Sequence, residues 1–91
     1  MPARTIIVDT VPRQILPYFP QRVSVSIFNN SGSTAFVSQD PTRVVEDGFP
    51  IPVGGNLSLV AALGDEPAWA LYAATSTGTA ELRIFESFRR E

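Results

Sequence analysis

The sequence predicts an all-β fold: an antiparallel β-sandwich or small barrel of about six or seven short strands, with Greek-key or jelly-roll-like connections. Three observations predict it. Eight Pro and six Gly cut the 91 residues into short pieces and leave no room for long helices. Between the cuts, β-branched and aromatic residues recur with period two. The pieces follow one another at roughly ten-residue spacing, joined by stretches rich in Gly, Pro, Asn and Ser. At this length a single domain, residues 1–91, is the default.

Taken in order, residues 4–9 are the first candidate strand. Pro12, Pro17 and Pro20 then interrupt a run of large apolar side chains. Residues 1–20 are therefore set apart as an irregular, Pro-rich N-terminal segment, either crossing the sheets or reaching a neighbour as an arm. The β core is placed at 21–86 and a tail at 87–91. Residues 22–28 alternate best, Val23, Val25 and Ile27 against Ser24, Ser26 and Phe28. Asn29-Asn30-Ser31-Gly32-Ser33 follows with turn-forming residues, so a hairpin-like connection is expected. Residues 34–39 are the return strand, Phe36 and Ser38 on one side and Ala35 and Val37 on the other.

Asp40-Pro41-Thr42 breaks the ladder, because Pro cannot donate a backbone hydrogen bond. Residues 43–46 are a short strand at best. Residues 47–55, with Pro50 and Pro52, read as an extended segment that pairs poorly. Alternation resumes at 56–60, with Leu57 and Leu59 on one face, and residues 64–67 form a second turn. Residues 68–75 read as a strand in which Trp69, Leu71 and Ala73 share a face. A two-turn helix capped by Asp65, with Pro67 in its first turn, is the alternative. Ser76-Thr77-Gly78 precedes the last strand, 79–86, where Leu82 and Ile84 alternate with Glu81, Arg83 and Phe85.

Composition excludes most enzyme chemistry. The chain has no Cys, no His and no Lys; all seven basic residues are Arg. Thiolate and imidazole catalysis, Schiff bases and the phosphate-loop lysine are therefore out of reach. Nine acidic residues give a net charge of -2, without the basic excess of a nucleic-acid binder. Charged residues are 18% of the chain and hydrophobic ones 44%, which predicts apolar surface covered by another chain. The N-terminal apolar run is too short for a signal-peptide core, so synthesis in the cytoplasm without a signal peptide is expected. The runs at 57–63 and 68–74 are too short to span a bilayer, and no membrane partner is expected.

The remaining constellations read as structure. Glu46-Asp47 and Asp65-Glu66 are adjacent residues at turns, which do not share a strand face. Gly54-Gly55 lacks the Gly-Lys-Ser/Thr ending of a phosphate loop. Ser24, Ser26, Ser38 and Ser58 have no imidazole to activate them. No catalytic residue, cofactor or metal ligand is assigned. Among Tyr18, Phe19, Phe49, Trp69 and Tyr72, a contact or sugar-stacking surface competes with a core role. Trp69 and most Phe are read as core. Tyr18, Phe19, Phe49 and Ile51 are the candidate partner contacts; Phe49 and Ile51 sit in a Pro/Gly-flanked loop where apolar side chains are hard to bury.

From Arg22 onward the chain resembles a small β-sandwich domain of tailed-bacteriophage structural proteins. Arg-Val-Ser-Val-Ser-Ile-Phe-Asn-Asn at 22–30 is similar to its opening strand, and Thr-Ala-Phe-Val-Ser-Gln-Asp at 34–40 to its return strand. Gly-Phe-Pro-Ile-Pro-Val-Gly-Gly-Asn-Leu-Ser-Leu at 48–59 is similar to its centre, and residues 70–86 to its closing strands. The resemblance implies a non-enzymatic virion protein, a capsid decoration or cement protein on the outer lattice. Its implied partners are the major capsid protein and copies of itself, as a homo-oligomer. A tail-fibre, head-fibre or baseplate module binding host-surface glycan is the alternative.

Overall fold

Period-two burial in several strands and a change of sheet at nearly every connection define the architecture. The computed structural model describes residues 3–60 and 69–88. Eight strands are described: β1 (Ala3–Val8), β2 (Arg13–Leu16), β3 (Arg22–Gly32), β4 (Ala35–Ser38), β5 (Phe49–Ile51), β6 (Asn56–Val60), β7 (Leu71–Thr75) and β8 (Ala80–Phe88). They form two four-stranded sheets, β1-β8-β3-β6 and β2-β7-β4-β5. Every pairing is antiparallel. Among the described residues the fold is therefore all-β apart from one short helix, α1 (Val44–Asp47).

A single aliphatic core draws on both sheets. Val8, Val25, Ile27, Ala80, Leu82 and Ile84 come from the first sheet. Ile15, Leu16, Ala35, Val37, Ile51, Leu71 and Ala73 come from the second. Leu57 and Leu59 pack on this cluster as half-buried residues, on the face their alternation predicts. The parities predicted for residues 35–38 and 82–85 match the observed burial: Ala35, Val37, Leu82 and Ile84 are inside.

Several expectations are corrected. Residues 1–20 are not an irregular segment throughout: β1 pairs along β8, β2 pairs with β7, and Val8, Ile15 and Leu16 are in the core. Pro12 and Pro17 flank β2 instead of interrupting it. The register shifts between Gln14 and Leu16, and this bulge turns both Ile15 and Leu16 inward. Residues 29–33 are not a hairpin turn. β3 continues to Gly32, and β4 belongs to the other sheet. Residues 43–46 are not a strand but the start of α1. Val44 and Ala74 are both buried yet lie outside the core cluster, so α1 covers the outward face of the second sheet. That burial outweighs the modest helix propensity of a Val-Val pair. Residues 49–51 do pair, with β4; Pro50 is tolerated because β5 is an edge strand. Ala68, the turn at 64–67 and residues 89–91 of the tail lie outside the described residues.

Two glycines separate conformational strain from collision. Gly32 has φ +97°, and a Cβ there would lie 2.2 Å from the Thr79 carbonyl oxygen. Gly54 has φ +84° but open space around it. Gly54→Ala should cost about 1–2 kcal/mol, the ordinary penalty for a left-handed residue. Gly32→Ala should cost about 3 kcal/mol or more, because β8 must also shift. Urea midpoints of the two variants check this; equal losses would show that collision adds nothing.

Candidate interaction surface

The carboxylates of the described residues are mostly committed to structure. Asp9 accepts from the Val11 amide at 3.0 Å. The Thr42 backbone amide, and then its hydroxyl, hold the Asp40 carboxyl below its ordinary range and shape the turn before α1. Asp47 pairs with Arg43 one helical turn away at 2.8 Å. Glu81 accepts from Asn30 Nδ2 at 2.8 Å. Glu46 is exposed on α1. No group of three metal-ligating side chains occurs among the described residues.

The aromatic residues are distributed in an unusual way. The chain has six Phe, two Tyr and one Trp, and none of them is in the buried core. Tyr18, Phe19, Phe28, Phe49, Trp69 and Phe85 are all exposed. An aliphatic core inside an aromatic exterior is the reverse of what burial free energy alone selects, since large rings gain most from leaving water.

One aromatic group sits at the end of the molecule where β2 passes to β3. Tyr18 and Trp69 meet edge-to-face with ring centroids 6.0 Å apart, and Phe19 meets Phe88 at 5.1 Å. A buried ionic cluster holds this loop. Arg22 Nε donates to Glu86 Oε2 at 2.9 Å, and Arg4 donates to Glu86 Oε1 at 2.9 Å. Arg22 also donates to the Pro17 carbonyl at 3.1 Å, and its amide donates to that of Phe19 at 3.0 Å. The register shift between Arg22 and Ser24 is what points Arg22 inward.

A second group lies on the outward face of the β1-β8-β3-β6 sheet. Thr5, Arg83, Phe28 and Asn56 form one cross-strand row; Phe85, Ser26 and Ser58 form the next. Ile7 is exposed beside them. Arg4, Thr5, Arg83 and Phe85 line a shallow groove of about 240 Å³. A third feature is an open cleft of about 430 Å³ between β1 and β2, lined by Arg4, Ile6, Ile7, Arg13 and Ile15 among others. Arg13 reaches over it to donate to the Ile7 carbonyl at 3.2 Å.

Of the four residues singled out in the sequence, Tyr18 and Phe19 are exposed and are brought together with Trp69 and Phe88. Phe49 is exposed by itself at the edge of the second sheet. Ile51 is no partner contact: it is fully buried in the core, because pairing of β5 with β4 carries its side chain inward beside Ala35. Trp69 precedes β7 and is half exposed, so its place in the alternation of residues 69–73 does not make it core. Phe28, Phe85 and Arg83 were not singled out. The signal was present, since each falls out of phase with the core positions of its own strand. Compared with family models, curated proteins and solved structures, the chain has no match.

Proposed function

We propose that this chain is a non-enzymatic virion structural protein of a tailed phage, a decoration or cement protein that binds and stabilises the outer capsid lattice. In this reading the two sheets form a jelly-roll sandwich. The strand orders β1-β8-β3-β6 and β2-β7-β4-β5 support it: they are what two interlocked Greek keys produce, an architecture common to capsid and lectin domains. The observation that carries the assembly role is the aromatic exterior around an aliphatic core. Exposed rings and arginines are the side chains that dominate binding interfaces. Many weak contacts, repeated over a lattice, then add up through multivalency. The partners are the major capsid protein and further copies of the chain.

Mass spectrometry of gradient-purified particles tests the reading. Peptides of this chain are expected in a fixed ratio to the major capsid protein; their absence from intact particles overturns it. The exposed Tyr18–Trp69 pair favours one second reading, a fibre or baseplate module that stacks host glycan on these rings. Glycan-array binding that disappears in Trp69→Ala distinguishes it.

A further inference from the structure

We propose that copies of this chain join head to tail, the outward face of the β1-β8-β3-β6 sheet of one copy seating on the α1 face of the next. The proposal rests on the many-copy reading above and adds to it the surfaces used and the mode of contact.

The sheet face is apolar, and its strand register places both Arg83 and Glu81 on it. Ile7, Phe28 and Phe85 are exposed on it. Its groove is lined by Arg4, Thr5, Arg83 and Phe85. Arg4 is already paired to Glu86. Arg83 has no hydrogen bond or ion pair among the described residues, so an unmatched positive charge sits between two exposed rings. Such an arrangement suits a carboxylate arriving with apolar surface around it.

The opposite layer of the same chain carries that complement. Residues 40–47, which form α1 and the turn before it, hold Asp40, Glu46 and Asp47 against Arg43 alone. Asp40 and Asp47 are engaged internally, whereas Glu46 is exposed and has no hydrogen bond or ion pair among the described residues. α1 covers the outward side of the second sheet, so Arg83 and Glu46 face away from each other across the core.

Two different surfaces in contact make a heterologous interface, which propagates into rings or open arrays. A two-fold pairing of the sheet face with itself would need Glu81 to receive Arg83. Glu81 is already held by Asn30 at 2.8 Å, with the Ser31 hydroxyl beyond it at 3.4 Å.

Sedimentation of the purified full chain tests the proposal. Wild type should form species above monomer as concentration rises, and salt should weaken them. Arg83→Glu and Glu46→Arg should each lower the association constant by about tenfold or more, since like charges then meet. An equimolar mixture of the two variants should restore association, because each altered face meets its altered complement. Phe85→Ser should also dissociate the species, by removing apolar contact instead of charge. Denaturant midpoints close to wild type confirm that the variants are folded.

A wild-type chain that stays monomeric overturns the proposal, while its presence in particles would leave the decoration reading standing. Association unaffected by either charge reversal overturns it too. Loss in Arg83→Glu that the mixture does not restore assigns the face to a two-fold contact and likewise overturns it.

Discussion

Glu86→Ala should lower the stability of this protein by about 3–5 kcal/mol, the cost of leaving a buried charge without its partner. A domain of this size has about 5–14 kcal/mol in total, so the loss is a large share of it. The asymmetry of the ionic cluster explains the size. The Arg22 side chain is 1% exposed and Glu86 7%, whereas Arg4 is 46% exposed. Once Glu86 is gone, Arg4 can turn to water, but Arg22 stays enclosed with the Pro17 carbonyl as one of its remaining acceptors. Arg4→Ala should therefore cost about 1 kcal/mol or less, in line with partly solvated pairs. The double variant Arg22→Met/Glu86→Leu should recover most of the loss, since it removes both buried charges. Urea denaturation of the variants checks the order. If Glu86→Ala and Arg4→Ala lose equal amounts, the burial argument is wrong. Arg22 also anchors the loop at Pro17 and Phe19, so its loss should free Tyr18 and Phe19 even in protein that remains folded.

Asn29→Asp is the second substitution expected to act strongly. The Asn29 side chain is fully buried and its Nδ2 donates to two carbonyl oxygens, Ser33 at 2.9 Å and Ile51 at 2.8 Å. β3 is in the first sheet and Ile51 in the second, so this amide fastens the two sheets together. The backbone of Asn29 does the same for the turn before β6: its amide donates to the Gly55 carbonyl at 3.1 Å, and its carbonyl accepts from the Gly54 amide at 2.8 Å. A carboxylate at this position would face two carbonyl oxygens with no counter-charge. The expected cost at neutral pH is about 3–5 kcal/mol. Asn29→Ala should cost about 2–3 kcal/mol, because both carbonyls lose a donor but no charge is buried.

The pH dependence separates these two variants. Burial and the two carbonyls raise the folded-state pKa of an Asp at position 29 above its unfolded value of about 3.9. The folded state then holds a proton that the unfolded state has lost. The penalty is smallest below the unfolded pKa and grows as pH rises toward the folded one. Relative to wild type, Asn29→Asp should gain stability on acidification, whereas Asn29→Ala should show no such slope. A flat difference for Asn29→Asp would mean that the carboxylate escapes to solvent.

Much of this was legible in particular residues. The alternation of Val25 and Ile27 with Ser24, Ser26 and Phe28 is a property of one strand, because successive side chains point to opposite faces. It put Ile27 and Phe28 on opposite faces with no knowledge of any partner strand, but the reading of most Phe as core was wrong, since none of the six is in the buried core. Leu82 and Ile84 against Arg83 and Phe85 behave the same way. The exposed aromatic residues were half legible: Tyr18 and Phe19 stood out in a Pro-rich stretch and are exposed. Trp69 and Ile51 were misjudged because their fate depends on what pairs with them. Ile51 is inside only because β4 lies alongside β5, and Trp69 is outside because β7 begins two residues later.

By itself, then, the sequence determined the β class, the face that each regular strand buries and the exclusion of imidazole, thiolate and lysine chemistry. Those properties reside in residue identity and in i, i+2 spacing, both local. Tertiary structure alone decided which strands share a sheet, that residues 3–16 complete both sheets, and that Arg22 points inward to meet Glu86. It also decided that residues 44–47 coil against Ala74. Each of these depends on contacts between residues far apart in the chain, as with Arg4 and Glu86, which are 82 positions apart. Bulges and edge pairings reverse the side-chain phase by a single residue, and the free energy that selects them comes from the partner strand.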